Sequence, residues 1–216
     1  MFYSRLRITQ QLLPLLDAAA CSTRLARVVN VASGTHEGAV DVSDLSLRDF
    51  PILQLLSKLK PHVSSMITLS MEELAAQAPT VSFVHDFPGA VYTNLHKNAV
   101  GPVGVVFWMV FEVMFFFFGR WILVPLEECA ERQLHAATSA MYRPRVGTAL
   151  GVTLDGSGVA RGSDDVEGSG MYSITWDGER RTEQSVITLK EQRRKGVGEI
   201  VWKHVSGEFE RITGTK

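Results

Sequence analysis

The chain has 216 residues, 45% hydrophobic and 21% charged, an ordinary globular composition that can bury a full core without disulfide staples. Its formal net charge of −1 leaves no basic surplus for the phosphates of a nucleic acid. Cys21 and Cys129 lie far apart and form neither a metal nor a redox pattern, so they read as small buried hydrophobes in a reducing, cytoplasmic compartment.

Residues 2–20 place Leu6, Ile8, Leu12, Leu13, Leu15 and Leu16 close to helical spacing, with Pro14 as a kink position. Arg5, Arg7, Gln10 and Gln11 interrupt the apolar run, which makes it an amphipathic helix rather than a signal peptide. Residues 26–33 predict a buried strand built on the β-branched Val28, Val29 and Val31. Ser33 stands just past that run, and Gly34 and Gly38 bound the start of a polar loop that continues to residue 50. A helix follows over 52–77, interrupted at Pro61, and then a second strand over 80–87 that closes at Pro88-Gly89. Strand, loop, helix and strand in that order make a βαβ unit and a parallel sheet.

Residues 101–126, GPVGVVFWMVFEVMFFFFGRWILVPL, carry charge only at Glu112 and Arg120. The length approaches a membrane span of about 20 residues, but two charges inside it oppose a true span. A buried or substrate-covering helix, a helix lying on a membrane and a span are three open readings. An amphipathic helix over 127–142 comes next, then a glycine-rich loop over 147–170, and a short strand over 171–176 that turns at Asp177-Gly178. From 182 to 212 the chain is charged and helical, with Val201, Trp202, Val205, Phe209 and Ile212 as an apolar stripe for docking on a core.

Few other motifs carry chemistry. GSGVARG, residues 156–162, has its third glycine one position late for a dinucleotide loop and no helix after it, so it reads as a surface loop. His36, His62 and His85 show no metal-ligand spacing and read as structural. Glu72 and Glu73 diverge around a helix, and Arg193, Arg194 and Lys195 read as a solvated helix face. Ser33 and Pro88-Gly89 matter most together. Both end parallel strands, so both belong to the rim where open α/β sheets place their ligands. Gly89 allows close approach to the backbone, and Thr93 offers a hydroxyl and an amide.

At these residues the chain resembles the short-chain dehydrogenase/reductase family. NVASGTHEG is similar to its strand-end Asn-x-x-Ser, and HDFPGAVYTNL to its Pro-Gly-x-Val-x-Thr turn, with a helix ending LSMEEL between them. FYSRLRITQQLLPLL, ERQLHAATSAMY and the Asp-Gly-Glu turn before the Trp-Lys-His helix extend the resemblance, to a fungal subgroup, over nearly all 216 residues. It implies one domain over 1–216, a partial Rossmann-like parallel sheet flanked by helices, with the apolar segment 101–126 and a C-terminal extension over 147–216. It further implies hydride transfer between NAD or NADP and a carbonyl or alcohol of a small hydrophobic molecule, in fungal secondary metabolism. Ser33 would hydrogen-bond the reacting oxygen, and Pro88, Gly89, Val91 and Thr93 would line the nicotinamide.

Two departures stand against that. The family's glycine-rich pyrophosphate turn does not precede Met1, so the chain reads as beginning about halfway through the fold. The family's Tyr-x-x-x-Lys falls near Leu55 and Leu59, with Lys58 and Lys60 out of register by a helical rotation of about 100° per residue. Phe50 replaces the tyrosine only under a different loop alignment, and His62 is the nearest titratable substitute. The alternative reading is a non-catalytic truncated module. Its exposed sheet edge would pair with a partner or a second copy.

Overall fold

The computed structural model describes residues 2–22, 25–49, 52–92, 102–148, 150–153, 156, 158–178 and 183–214. The elements run α1 (Phe2–Cys21), β1 (Arg27–Val31), α2 (Ile52–Gln77), β2 (Ser82–Asp86), α3 (Pro102–Ile122), α4 (Leu126–Thr138), β3 (Met171–Ile174), α5 (Glu183–Arg194) and α6 (Val197–Thr213). The three strands form one parallel sheet in the order β1-β2-β3. Asn30 stands opposite His85, and His85 opposite Ser173. The α/β class and the parallel pairing are those read from the βαβ rhythm.

Alternation along the strands sends successive side chains to opposite faces. Phe83 and Met171 point toward α2 and α6 and join Met66, Leu69, Leu74, Val201 and Val205 in the main core. Val84, Tyr172 and Ile174 point the other way and form a second, smaller core with Ala136 of α4 and Tyr142. The sheet is therefore the middle layer between α1, α2 and α6 on one side and α4 on the other. β2 is buried at every residue, whereas β1 is half-buried and Val31 is 38% exposed. That corrects the reading of β1 as a buried strand: among the described residues it is an edge, with β2 on one side only.

Four other expectations change. In α1 only Leu6 and Leu13 are buried, while Ile8, Leu12 and Leu15 face solvent. The helix runs through Pro14 unbroken, with one narrow stripe docked. The stretch 182–212 is two helices, parted at Gly196, whose φ of 69° ends the first in the left-handed region that glycine tolerates. The α6 stripe is Val197, Val201, Val205 and Phe209 at i, i+4 spacing, with Trp202 beside it. Ile212 in the final turn is 63% exposed, on surface past the core. Cys21 is exposed, not buried.

The apolar segment forms α3, and α3 is not buried. Val110, Val113, Phe116, Phe117 and Trp121 are all exposed. It makes no extensive contact with any other helix or strand among the described residues. Among those residues no helix is long and apolar enough to cross a membrane.

Candidate site at the strand ends

The three strands end together at Val31, Asp86 and Ile174. Past β1, the Ala32 amide still reaches the Asp86 carbonyl at 2.8 Å, and the chain then turns across the rim. A side chain at Gly34 would collide with the carbonyls of His85 and Ile174. Only glycine lets the backbone lie flat on the strand ends, which fixes Ser33 directly beside them.

Ser33 is clamped through its own backbone. Its N–H donates to His85 Nε2 at 3.2 Å, and its carbonyl accepts from Ser64 Oγ of α2 at 2.6 Å. Because Nε2 accepts, the proton of the neutral ring sits on Nδ1, which faces Thr68 Oγ1 at 2.8 Å. The Thr68 hydroxyl donates to Glu37 Oε1 at 2.7 Å, and Ser173 Oγ donates to the same oxygen at 2.6 Å. Thr35 N–H donates to Ser173 Oγ at 2.8 Å. The chain Ser33–His85–Thr68–Glu37–Ser173 thus ties the loop after β1 to the ends of β2 and β3 and to α2. His85 is fully buried, and that burial, reinforced by the positive Arg5 and by His36, pushes its pKa down to about 3. It stays neutral and serves as a brace, as the sequence implied for a structural histidine.

The sequence did not single out Glu37, Thr68 or Ser173. A signal was present: Ser64, Ser65 and Thr68 interrupt the apolar pattern of α2 on the face toward the loop, and all three hydroxyls bond to it or its partners. His62 is similarly committed. Its Nδ1 accepts from the Asp41 amide at 3.2 Å, and its Nε2 meets the Leu45 carbonyl at 3.3 Å, so it holds the 41–45 loop instead of offering a free acid. Burial lowers its pKa, which keeps it neutral in that role. A cavity of about 440 Å³ opens between this loop and α2, lined by Asp41, Leu47, Lys58, Pro61 and His62 among others. Ser33 is not part of its lining.

Lys60 departs from expectation. Its Nζ lies 4.4 Å from the Phe87 ring centroid, just past β2, and the Phe87 ring meets His36 at 4.3 Å. A four-carbon stem reaches the rim despite the helical rotation. Partial burial lowers the pKa of the amine. The sequence places the family's tyrosine and lysine near Leu55 and Leu59; Leu59 is 45% exposed, and Phe50 lies outside the described residues.

The other sequence-selected residues follow β2. Pro88 and Val91 are half-buried. Gly89 has φ +79°, and a Cβ there would stand 2.8 Å from Val124 and 3.0 Å from Trp176. Its bare face is thus filled by the chain's own side chains. Thr93 lies outside the described residues. Ser33 and the Gly89 turn share the rim but leave it differently: Ser33 is bound toward α2, and Gly89 packs beside Trp176, which Arg132 of α4 covers at 4.4 Å. On the α4 side, Asp86 accepts a hydrogen bond from Gln133 and lines a cavity of about 260 Å³ with Arg132, His135 and Tyr142. Burial raises its pKa to about 6. Arg193, expected on a solvated face, instead forks onto Glu72 at 2.7 and 2.9 Å and joins α5 to α2. Among the described residues no group of histidine, cysteine and carboxylate side chains could hold a metal ion.

The chain is 36% identical over 207 residues to the oxidoreductase AN1596 of Emericella nidulans, covering 94% of this chain and 58% of that protein. It is 31% identical over 220 residues to the oxidoreductase andH of Emericella variicolor, covering 99% and 60%. It is 27% identical over 214 residues to the short-chain dehydrogenase/reductase SAT2 of Stachybotrys chartarum, covering 94% and 55%. The chain therefore spans between 55% and 60% of the length of these three relatives. No family model and no solved structure matches it.

Proposed function

The chain belongs with these fungal oxidoreductases, a short-chain dehydrogenase/reductase among them, and from that premise we propose that it carries the substrate rim of an NAD- or NADP-dependent carbonyl reductase or alcohol dehydrogenase. When bound, a nicotinamide would supply or accept the hydride. The observation that carries the reading is the clamp on Ser33. Both backbone hydrogen bonds of that residue are fixed at the strand end, which holds its Cα at the rim, where its hydroxyl would hydrogen-bond a carbonyl oxygen as charge develops there. Pro88 and Val91, half-buried at the same rim, and Thr93 would hold the nicotinamide side. Gly89, read from the sequence as a nicotinamide-lining residue, gives its bare face to Val124 and Trp176 in this chain. The substrate would be a small hydrophobic molecule of a fungal natural-product pathway.

The test is titration of the purified chain with NADH and NADPH, followed by fluorescence or calorimetry. Micromolar binding would support the reading, and Ser33→Ala should then retain coenzyme affinity and lose turnover. No binding up to millimolar coenzyme would overturn the reading for this chain. A second reading is favoured by the half-buried edge of β1. On it, the chain is a binding module whose sheet is extended by a partner, and coenzyme binding would then fail while association persists.

A further inference from the structure

We propose that α3 inserts into one leaflet of a lipid bilayer and holds the protein on a membrane surface. The inference is independent of the proposed activity. α3 has 21 residues and a length of about 31 Å. Its exposed apolar side chains include Val106, Val110, Val113, Phe117, Phe116 at 84% and Trp121 at 76%. At about 100° per residue, the exposed apolar side chains from Val105 to Trp121 form one band of roughly 160°, which Phe118 and Ile122 widen in the last turns. On the other side the helix meets the protein's own chain: Tyr92 donates to Glu112 at 2.9 Å and stacks edge-on with Phe115 at 5.8 Å.

That arc decides the occupant. A facing helix covers one stripe roughly 100° wide, narrower than this band. A second copy of α3 would leave the outer sides of both helices in water. A medium that surrounds the helix satisfies the whole arc, and hydrocarbon is that medium. Arg120 and Trp121 stand together at the C-terminal end, where a long cationic stem and an indole sit best at the headgroup level. The helix carries one acid and one base, Glu112 and Arg120, so a zwitterionic surface suffices and no anionic lipid is required.

The experiment is flotation of the whole 216-residue chain with phosphatidylcholine vesicles. The protein should rise with the vesicles, and raising the salt to about 0.5 M should leave that unchanged. Replacing Phe116, Phe117 and Phe118 together by serine should weaken binding by more than about tenfold, because each ring carries its own transfer free energy. Brominated phosphatidylcholine provides a readout in the unaltered protein: it should quench tryptophan emission, and Trp121→Phe should remove a substantial part of the quenching. The proposal is overturned if the protein stays at the bottom of the gradient and its emission is unaffected by brominated lipid. It is equally overturned if the chain elutes as a dimer that the three serines dissociate while vesicles bind neither form.

Discussion

His85 and Asp86 are neighbours on β2, both at the sheet rim and both buried, yet they answer acid in opposite directions. The pleat sends His85 toward α2, where Thr68 and the Ser33 amide saturate its ring, and Asp86 toward α4, where Gln133 bonds the carboxylate. On each side burial disfavours the charged form. For a base that lowers the pKa, and for an acid it raises it. His85 falls from 6.5 to about 3, so below pH 6.5 the unfolded chain takes up a proton that the folded chain refuses. Its contribution is fully present above pH 6.5 and is lost as the pH falls toward 3. Asp86 rises from 3.8 to about 6, so the folded chain keeps a proton that the unfolded chain releases. Its contribution is fully present below pH 3.8 and is lost as the pH rises through 6. One strand thus carries a rigid, neutral brace on one face and a titrating group beside a cavity on the other.

Three substitutions sharpen that contrast. The largest effect is expected from His85→Leu, which strands the Ser33 amide and the Thr68 hydroxyl in the interior and should cost about 4 kcal/mol. Denaturant midpoints should show that loss at neutral pH, and the fall in stability between pH 6.5 and 3 should flatten. A variant as stable as the parent would mean that the brace contributes nothing. Next is Asp86→Asn, which keeps a side-chain carbonyl for Gln133 and removes the charge. It should stabilise the protein above pH 6, by at most about 3 kcal/mol from a shift of about two units, and should have almost no effect below pH 4. Thermal unfolding across that range checks it, and a destabilised variant at pH 7.5 would refute the assignment. The smallest is Thr68→Val, nearly isosteric, which breaks the link between His85 and Glu37 at a cost of about 2 kcal/mol. If the brace also presets Ser33, this variant should lose turnover in the coenzyme-coupled reaction while keeping coenzyme affinity.

The order and type of the elements were legible from local pattern. The strands read over 26–33 and 80–87 are the parallel β1 and β2, and Pro88-Gly89 follows the second. Ser33 could be placed at the rim for the same reason: a serine directly after an apolar run has nowhere else to go in a parallel sheet. Arg193 shows the limit of local reading, since it looks like one charge in a solvated run until Glu72, 121 residues away, is folded against it. Glu37 and Thr68 were illegible for the same cause, because hydroxyl and carboxylate in a polar loop and on a helix are common and only long-range contact makes them a chain of bonds.

What the sequence by itself determined is the α/β class, the parallel βαβ unit and the rim position of Ser33, because periodicity and turn chemistry act over a few residues. What only the tertiary structure decided is the half-buried edge of β1, the reach of Lys60 to Phe87, the opposed environments of His85 and Asp86, and the exposure of α3. Burial is a property of what lies across from a residue, and for α3 the strongest apolar run in the chain lies mostly outside the fold, because no other helix or strand packs extensively against it among the described residues.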